Sequence, residues 1–378
     1  MFFRDRKNRS QQRVCAIVRI LFAVFFFLYF YLSQAASLFL AQHQLSQGQT
    51  TYHPLIGAIV LTVLMLGLQR LVHKFVRFRD SLYVLTFFPS SLVAVLLTSF
   101  TPFPNSSVHW TSCILTLIWV AIAVYDSRSG VDFKKRQTSY ISHIVCFLLL
   151  TIYLGLCGNS RDVINYEVYA SRYINDEEYD KALKVGEKSL ATSNFLTALR
   201  AYAQSHQEGG LADKLFEWPL PHMGSEMLFI RRADTVLLLF EPDSLYNYLG
   251  CYPDESDKTA LMYFKRAAHS HPESPAKDYW LCALLLDKKL DEFASELPNF
   301  YEVSDSVVLP HYYAEALVLY NRTCTESLLD YSEPTIVANY LDFKEKGENI
   351  PNTIERRNLL WREYGNTYWW YYIYHEQN

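Results

Sequence analysis

The sequence predicts an all-α protein in two parts, an N-terminal bundle of five transmembrane helices and a soluble domain of helical hairpins. Three observations carry this reading. Charge divides sharply along the 378 residues: through Cys157 there are 14 Lys and Arg against 4 Asp and Glu, and from Gly158 on there are 21 against 35. The first half holds five apolar segments joined by short loops, each near the ~20 residues a helix needs to cross the hydrocarbon layer. The second half nearly lacks alternating Val, Ile and Thr, and its apolar residues recur at helical spacing. A net of +10 before the boundary and −14 after it excludes a uniform soluble globule, a secreted, fibrous or disordered chain, and a free DNA-binding protein.

The membrane domain is expected over 1–157, with spans at about 14–40, 54–69, 81–100, 109–125 and 139–157. The first apolar run is much longer than the ~7–15 residues of a signal-peptide core, so it reads as a retained span despite the small residues Ala35, Ala36 and Ser37. Basic residues fall on every second loop: Arg4 to Arg13 at the N-terminus, Arg70 to Arg79 after span two, and Arg128 to Arg136 after span four. The loops His43–His53 and Thr101–Val108 carry no Lys or Arg. Positive charge stays on the cytoplasmic side, so the N-terminus is expected inside and the 158–378 domain outside, in the periplasm of a bacterial inner membrane or the lumen of a eukaryotic compartment. Arg19 is expected to snorkel to the inner headgroups, His143 to sit at the interface, and Pro89 to kink span three. No span has a central Asp or Glu, and no filter-like loop or inverted repeat stands out, which weighs against an ion-driven transporter or selective channel.

In the outer half, helices are expected at Tyr166–Tyr173 with Glu178–Leu190, Phe195–Ala203 with Leu211–Trp218, and Tyr279–Leu286 with Leu290–Leu297. Further helices are expected at Met227–Leu239, Lys258–Ala268, Tyr312–Tyr320, Thr335–Phe343 and Thr353–Tyr364. In the second helix of each pair an aromatic or Leu precedes an Ala: Tyr179 and Ala182, Leu211 and Ala212, Phe293 and Ala294. The Glu178 block resembles the second helix of a tetratricopeptide repeat, although the family's Trp, Leu-Gly and Pro marks never occur together in one unit. The resemblance implies a stacked solenoid with a concave surface that binds peptides or proteins.

The chain approaches its C-terminus through an aromatic run that includes Tyr368, Trp369, Trp370, Tyr371 and Tyr372. Such rings suit surfaces with one apolar and one wet side. Three readings stand: a terminal helix covering the last repeat, a segment packed on the membrane interface, or a partner-binding surface. With five spans and degenerate repeats before it, this ending resembles an uncharacterised group of multispan membrane proteins from the Bacteroidota. That resemblance implies a periplasmic placement and carries no activity.

Chemical motifs are sparse. None of the seven cysteines forms a CxxC pair, though one bridge among Cys251, Cys282 and Cys324 is compatible with the compartment. His269, His271 and Glu273 lie in an expected surface loop without the third strong ligand or HExxH helix of a metal site. Nucleophile-elbow, Walker and dinucleotide fingerprints are missing, so no catalytic, cofactor-binding or metal residue is assigned. Glu177 with Glu178, and Glu326 with Asp330, read as acidic pairs on helix faces or caps, and Gly209-Gly210 as a turn. Asn105 and Asn321 match the glycosylation pattern, which matters only in a eukaryote. The acidic outer domain excludes a nucleic-acid partner. The lipid bilayer and an envelope protein are the expected partners. The leading expectation is a membrane-anchored interaction or assembly scaffold, with an enzyme on a lipid-linked or glycan substrate and a transporter subunit as alternatives; loss of a defined product on mutating a carboxylate near the outer face, such as Asp162 or Glu167, would revive the enzyme reading. The sequence weighs against the enzyme, because the first outer loop has no Asp or Glu.

Overall fold

The structure is a computed structural model that describes residues 2–76, 78, 80–99, 106–128, 140–158, 162–231, 239–304, 307–324, 329 and 331–375. The chain separates into two units, Met1–Arg161 and Asp162–Asn378. No strand occurs among the described residues.

The first unit holds α1 (Phe2–Leu28), α2 (Ala35–Leu45), α3 (Pro54–Phe75), α4 (Phe88–Thr98), α5 (Ser106–Arg128) and α6 (Tyr140–Cys157). Three stretches are long and apolar enough to cross a membrane: Gln12–Ser33, Pro54–Phe75 and Val108–Arg128. A fourth is added if Ile141–Cys157 is counted together with the helix that follows it, while Leu82–Thr98 is apolar but shorter. Along α6, Ile141, Ile144, Val145, Leu148, Leu149, Ile152 and Leu156 are all exposed. A stripe at that helical spacing facing outward is stable only against lipid or another apolar surface.

The expected first span, 14–40, is divided. α1 passes into a π-helical turn at Tyr29–Ser33, Gln34 leaves helical geometry (φ −114°, ψ 8°), and Ala35–Leu45 is a separate helix. Tyr29 anchors the wide turn through a 3.0 Å hydrogen bond with Thr98 Oγ1, and the Gln34 N–H closes it on Tyr29 O at 2.9 Å. The third segment is not one kinked α-helix either. Asp80–Phe87 is 3₁₀ and α4 begins at Phe88. Pro89 sits in the first turn of α4, where its missing N–H leaves no hydrogen bond unmade. Arg19 is engaged in the bundle: its Nε donates to Tyr83 Oη at 2.6 Å. Gln69 Nε2 donates to the same hydroxyl at 3.1 Å and to Thr86 Oγ1 at 2.9 Å. His143, expected at the interface, is buried.

The second unit runs through α7 (Asp162–Asn175), α8 (Tyr179–Lys184), α9 (Asn194–Ser205), α10 (Gly210–Lys214), α11 (Pro242–Leu249), α12 (Ala260–Ser270), α13 (Ala276–Leu286), α14 (Leu290–Glu296), α15 (His311–Thr323), α16 (Pro334–Glu348), α17 (Thr353–Tyr364) and α18 (Tyr368–Tyr374). Capping side chains start several of them. Ser193 accepts from Leu196 N at 3.0 Å, Thr259 from Met262 N at 3.2 Å, and Asn352 from Ile354 N at 2.9 Å, each satisfying an orphan donor of a first turn. One continuous core links the unit from Ala170 to Tyr371, and α13 lies at its centre with Tyr279 to Leu286 all buried.

Two expected helices are corrected. Glu178–Leu190 is helical only to Lys184: Val185 is extended and Gly186 adopts φ +69°. A Cβ at Gly186 would lie 2.9 Å from the Tyr166 ring, so glycine both permits the left-handed turn and lets it close on α7. Met227–Leu239 is replaced, up to Arg231, by a 3₁₀ turn at Gly224–Leu228 and an extended Phe229, while 232–238 lie outside the described residues. Tertiary bonds hold this segment: Asp287 accepts from Ser225 N at 2.7 Å and from Ser225 Oγ at 2.9 Å, and Tyr246 Oη donates to the Ile230 carbonyl. α11 was not expected as a helix, and α18 was expected only as one of three readings of the aromatic run. They are short and rich in Tyr, whose spacing carries little helical signal.

Candidate functional site

The corner formed by α8, α9 and α10 holds an open, shallow cavity of about 570 Å3. It arises from two tight turns. Between α7 and α8, Glu177 takes φ +59° while its N–H bonds Ile174 O at 2.9 Å and Glu178 N–H bonds Tyr173 O at 2.7 Å. Between α9 and α10, Gly209 and Gly210 take φ +85° and +62°, which reverses the chain. The turns bring the carboxylates of Glu177, Glu178, Asp180 and Glu208 around one opening, against the ammonium groups of Lys181 and Lys214. Internal bonds hold part of this set. Lys181 Nζ donates to Glu178 Oε1 at 2.6 Å, Gln207 Nε2 donates to Asp180, and Lys214 Nζ donates to Gln207 Oε1 at 3.2 Å. Glu177 and Glu208 are exposed. The cavity thus presents a surplus of negative charge.

Tyr179 and His206 line one side of it and belong to a ladder of rings that continues into the core. Tyr179 stacks on His206 at 4.4 Å, and His206 stacks on Tyr248 at 4.1 Å, with Tyr202 edge-on to Tyr248 at 5.3 Å. His206 Nδ1 lies 2.8 Å from Tyr202 O, so Nδ1 carries the proton. Burial pushes the His206 pKa down, so the imidazole is neutral at physiological pH. An acidic opening beside flat π faces suits a cationic side chain, through charge and through the ring quadrupole.

Of the residues singled out from sequence, Glu177, Glu178 and the Gly209-Gly210 turn lie at this cavity, and the others fall elsewhere. Tyr368, Trp369, Trp370 and Tyr371 are buried, and Tyr372 is half-buried. Tyr368 Oη donates to Leu285 O at 3.3 Å and Tyr371 Oη to Leu286 O at 2.9 Å, so α18 docks on the central helix α13. Asp162 is exposed, and Glu167 accepts a short hydrogen bond from Ser193 Oγ, the cap of α9. His269 Nε2 lies 3.3 Å from Glu296, away from a shared site with exposed His271 and Glu273, and among the described residues no group of three His, Cys, Asp or Glu converges for a metal. Cys251, Cys282 and Cys324 are free thiols with separate neighbours: the Arg266 guanidinium, Tyr313 Oη and Asp291. Asn105, Glu326 and Asp330 lie outside the described residues.

Sequence reasoning missed the cavity and the buried acids of the core. Asp278 on α13 accepts from Tyr301 Oη at 2.6 Å and Tyr313 Oη at 2.9 Å. Burial pushes its pKa up, and the two phenols pull the other way. A proton held longer in the folded state than in the unfolded chain makes stability fall as pH rises from the ordinary carboxylate range through the raised value. Asp278→Asn is expected to flatten that part of the profile when urea midpoints are measured against pH. An unchanged slope would mean that Asp278 titrates normally in the fold.

Residues 251–375, the stretch from just before α12 to the end of α18, match a family of unknown function (DUF6057). No curated protein and no solved structure matches the chain. The α8–α10 cavity lies outside the matched stretch.

Proposed function

We propose that this protein is a membrane-anchored scaffold whose helical domain stands on the outer side of the membrane and docks a basic segment of an envelope protein. In this reading the membrane unit makes five spans, adding the α4 and α6 segments to the three long helices, with the N-terminus cytoplasmic as the alternating basic loops require. The domain from Asp162 then lies in the periplasm, and its consecutive hairpins act as degenerate tetratricopeptide-like repeats. The observation that carries the proposal is the acidic, ring-walled cavity at the α8–α10 corner. Its surplus of carboxylates suits a Lys or Arg side chain, and it belongs to a domain with net negative charge.

The test is recovery of partners from crosslinked intact cells by mild solubilisation of the tagged full chain, compared with a Glu177→Lys, Glu208→Lys double variant. Both residues are exposed, so the fold is expected to be unaffected. The expected result is one stoichiometric partner, reduced at least tenfold by the charge reversal. An identical set of partners from both proteins, or none from either, would sink the docking reading.

A further inference from the structure

Charge inside a protein is normally paired, because an ionised group taken from water without a partner is unstable by several kcal/mol. Arg200, in the middle of α9, breaks that rule. The residue is 3% exposed. Its Nη2 donates to the Val185 carbonyl at 3.2 Å, and the guanidinium lies 4.4 Å from the centroid of the Trp218 ring. Nε and Nη1 are buried and have no acceptor. Burial pushes its pKa down to about 10, with the Tyr166 phenol acting on it the other way, so it remains a cation at neutral pH. No carboxylate among the described residues neutralises it.

What covers this cation is thin. On one side is the non-helical segment 185–193, mostly half-exposed and entered through the left-handed Gly186. On the other is Trp218, half-exposed and followed by Pro219. An aromatic ring under a guanidinium leaves the in-plane N–H donors free, the arrangement by which arginine receives planar or tetrahedral oxyanions. A neutral packing role would be served as well by an apolar side chain.

We propose that Arg200 and Trp218 form a binding site for a small oxyanion, a carboxylate or phosphate group, which enters beneath the 185–193 segment and accepts from Nε or Nη1. This site is separate from the acidic cavity, and neither proposal rests on the other.

The test uses the full-length protein in detergent, at constant ionic strength, titrated with inorganic phosphate or acetate against chloride. The expected result is a saturable rise of several degrees in Tm with one of the two oxyanions, as selective binding to the folded state requires. That rise is absent in Arg200→Met, whose Tm in chloride equals or exceeds that of the unmodified protein. Arg200→Lys, which keeps the charge without the planar fork, shifts the saturation midpoint at least tenfold and serves if Arg200→Met does not fold. Phosphate and acetate arms distinguish the two sources of the oxyanion. No oxyanion effect beyond chloride in the unmodified protein, or an equal effect in both variants, overturns the proposal.

Discussion

Trp369→Ala is expected to destabilise the Asp162–Asn378 unit by about 3–5 kcal/mol, the range for emptying a fully buried large aromatic position. Trp369 is 1% exposed, sits edge-on to Tyr340 at 5.6 Å and lies 6.3 Å from Phe343, so α18 closes against α16 through this ring. Its neighbours Tyr368 and Tyr371 are tied to the carbonyls at the end of α13, which limits how far the cavity can collapse. The control is Ile373→Ala on the exposed side of the same helix, expected to change stability by about 0.5 kcal/mol or less. Urea unfolding of the full chain, followed by circular dichroism, measures both. A loss below about 1 kcal/mol for Trp369→Ala would mean that the aromatic helix is undocked in solution. It would then be available to lipid or to a partner.

The second large effect is expected at Glu315. This α15 residue is 1% exposed, and its Oε2 accepts from the backbone N–H of Tyr368 at 2.6 Å. Its Oε1 lies 3.2 Å from His311 Nε2. Glu315→Leu strips a buried amide of its acceptor and leaves His311 without its partner. The expected loss is about 2–4 kcal/mol, with less than half of that for Glu315→Gln, which retains an acceptor. The pH profile separates the two roles. Burial pushes the Glu315 pKa up, and the Glu315 carboxylate holds the His311 pKa above its ordinary value. In both groups the folded state keeps the proton longer, so both contributions decline as pH rises, first through the raised Glu315 value and then through the raised His311 value. Glu315→Gln is expected to remove both declines. If the urea midpoint of the variant falls with pH as steeply as that of the unmodified protein, the His311–Glu315 contact does not form.

Most helix positions were legible because they depend on local pattern. The Thr353–Tyr364 helix begins after Asn352, and α9 and α12 begin after Ser193 and Thr259, because the cap and the apolar stripe are both written within one turn. The failures have tertiary causes. Over its described part, up to Arg231, the helix expected from Met227 does not form, and Tyr246 Oη takes the Ile230 carbonyl that a helix would have used. The first apolar run gives one span, as read, but the span ends at Ser33 and not near residue 40, where a π turn anchored on Thr98, 69 residues away in sequence, closes it. The candidate site was the least legible part. Glu177, His206 and Tyr248 carry no shared motif, and each alone is an ordinary surface or core residue.

The sequence by itself determined that the protein is helical, that its apolar helices precede an acidic helical domain, and that the change comes near residue 160. Those properties follow from composition and short-range periodicity, which act on each segment separately. Only the tertiary structure decided that the C-terminal rings close the core, that four carboxylates share one cavity, and that Arg200 is buried with no counter-charge among the described residues. Burial and electrostatic environment depend on which distant segments meet, and that information is spread over the whole chain.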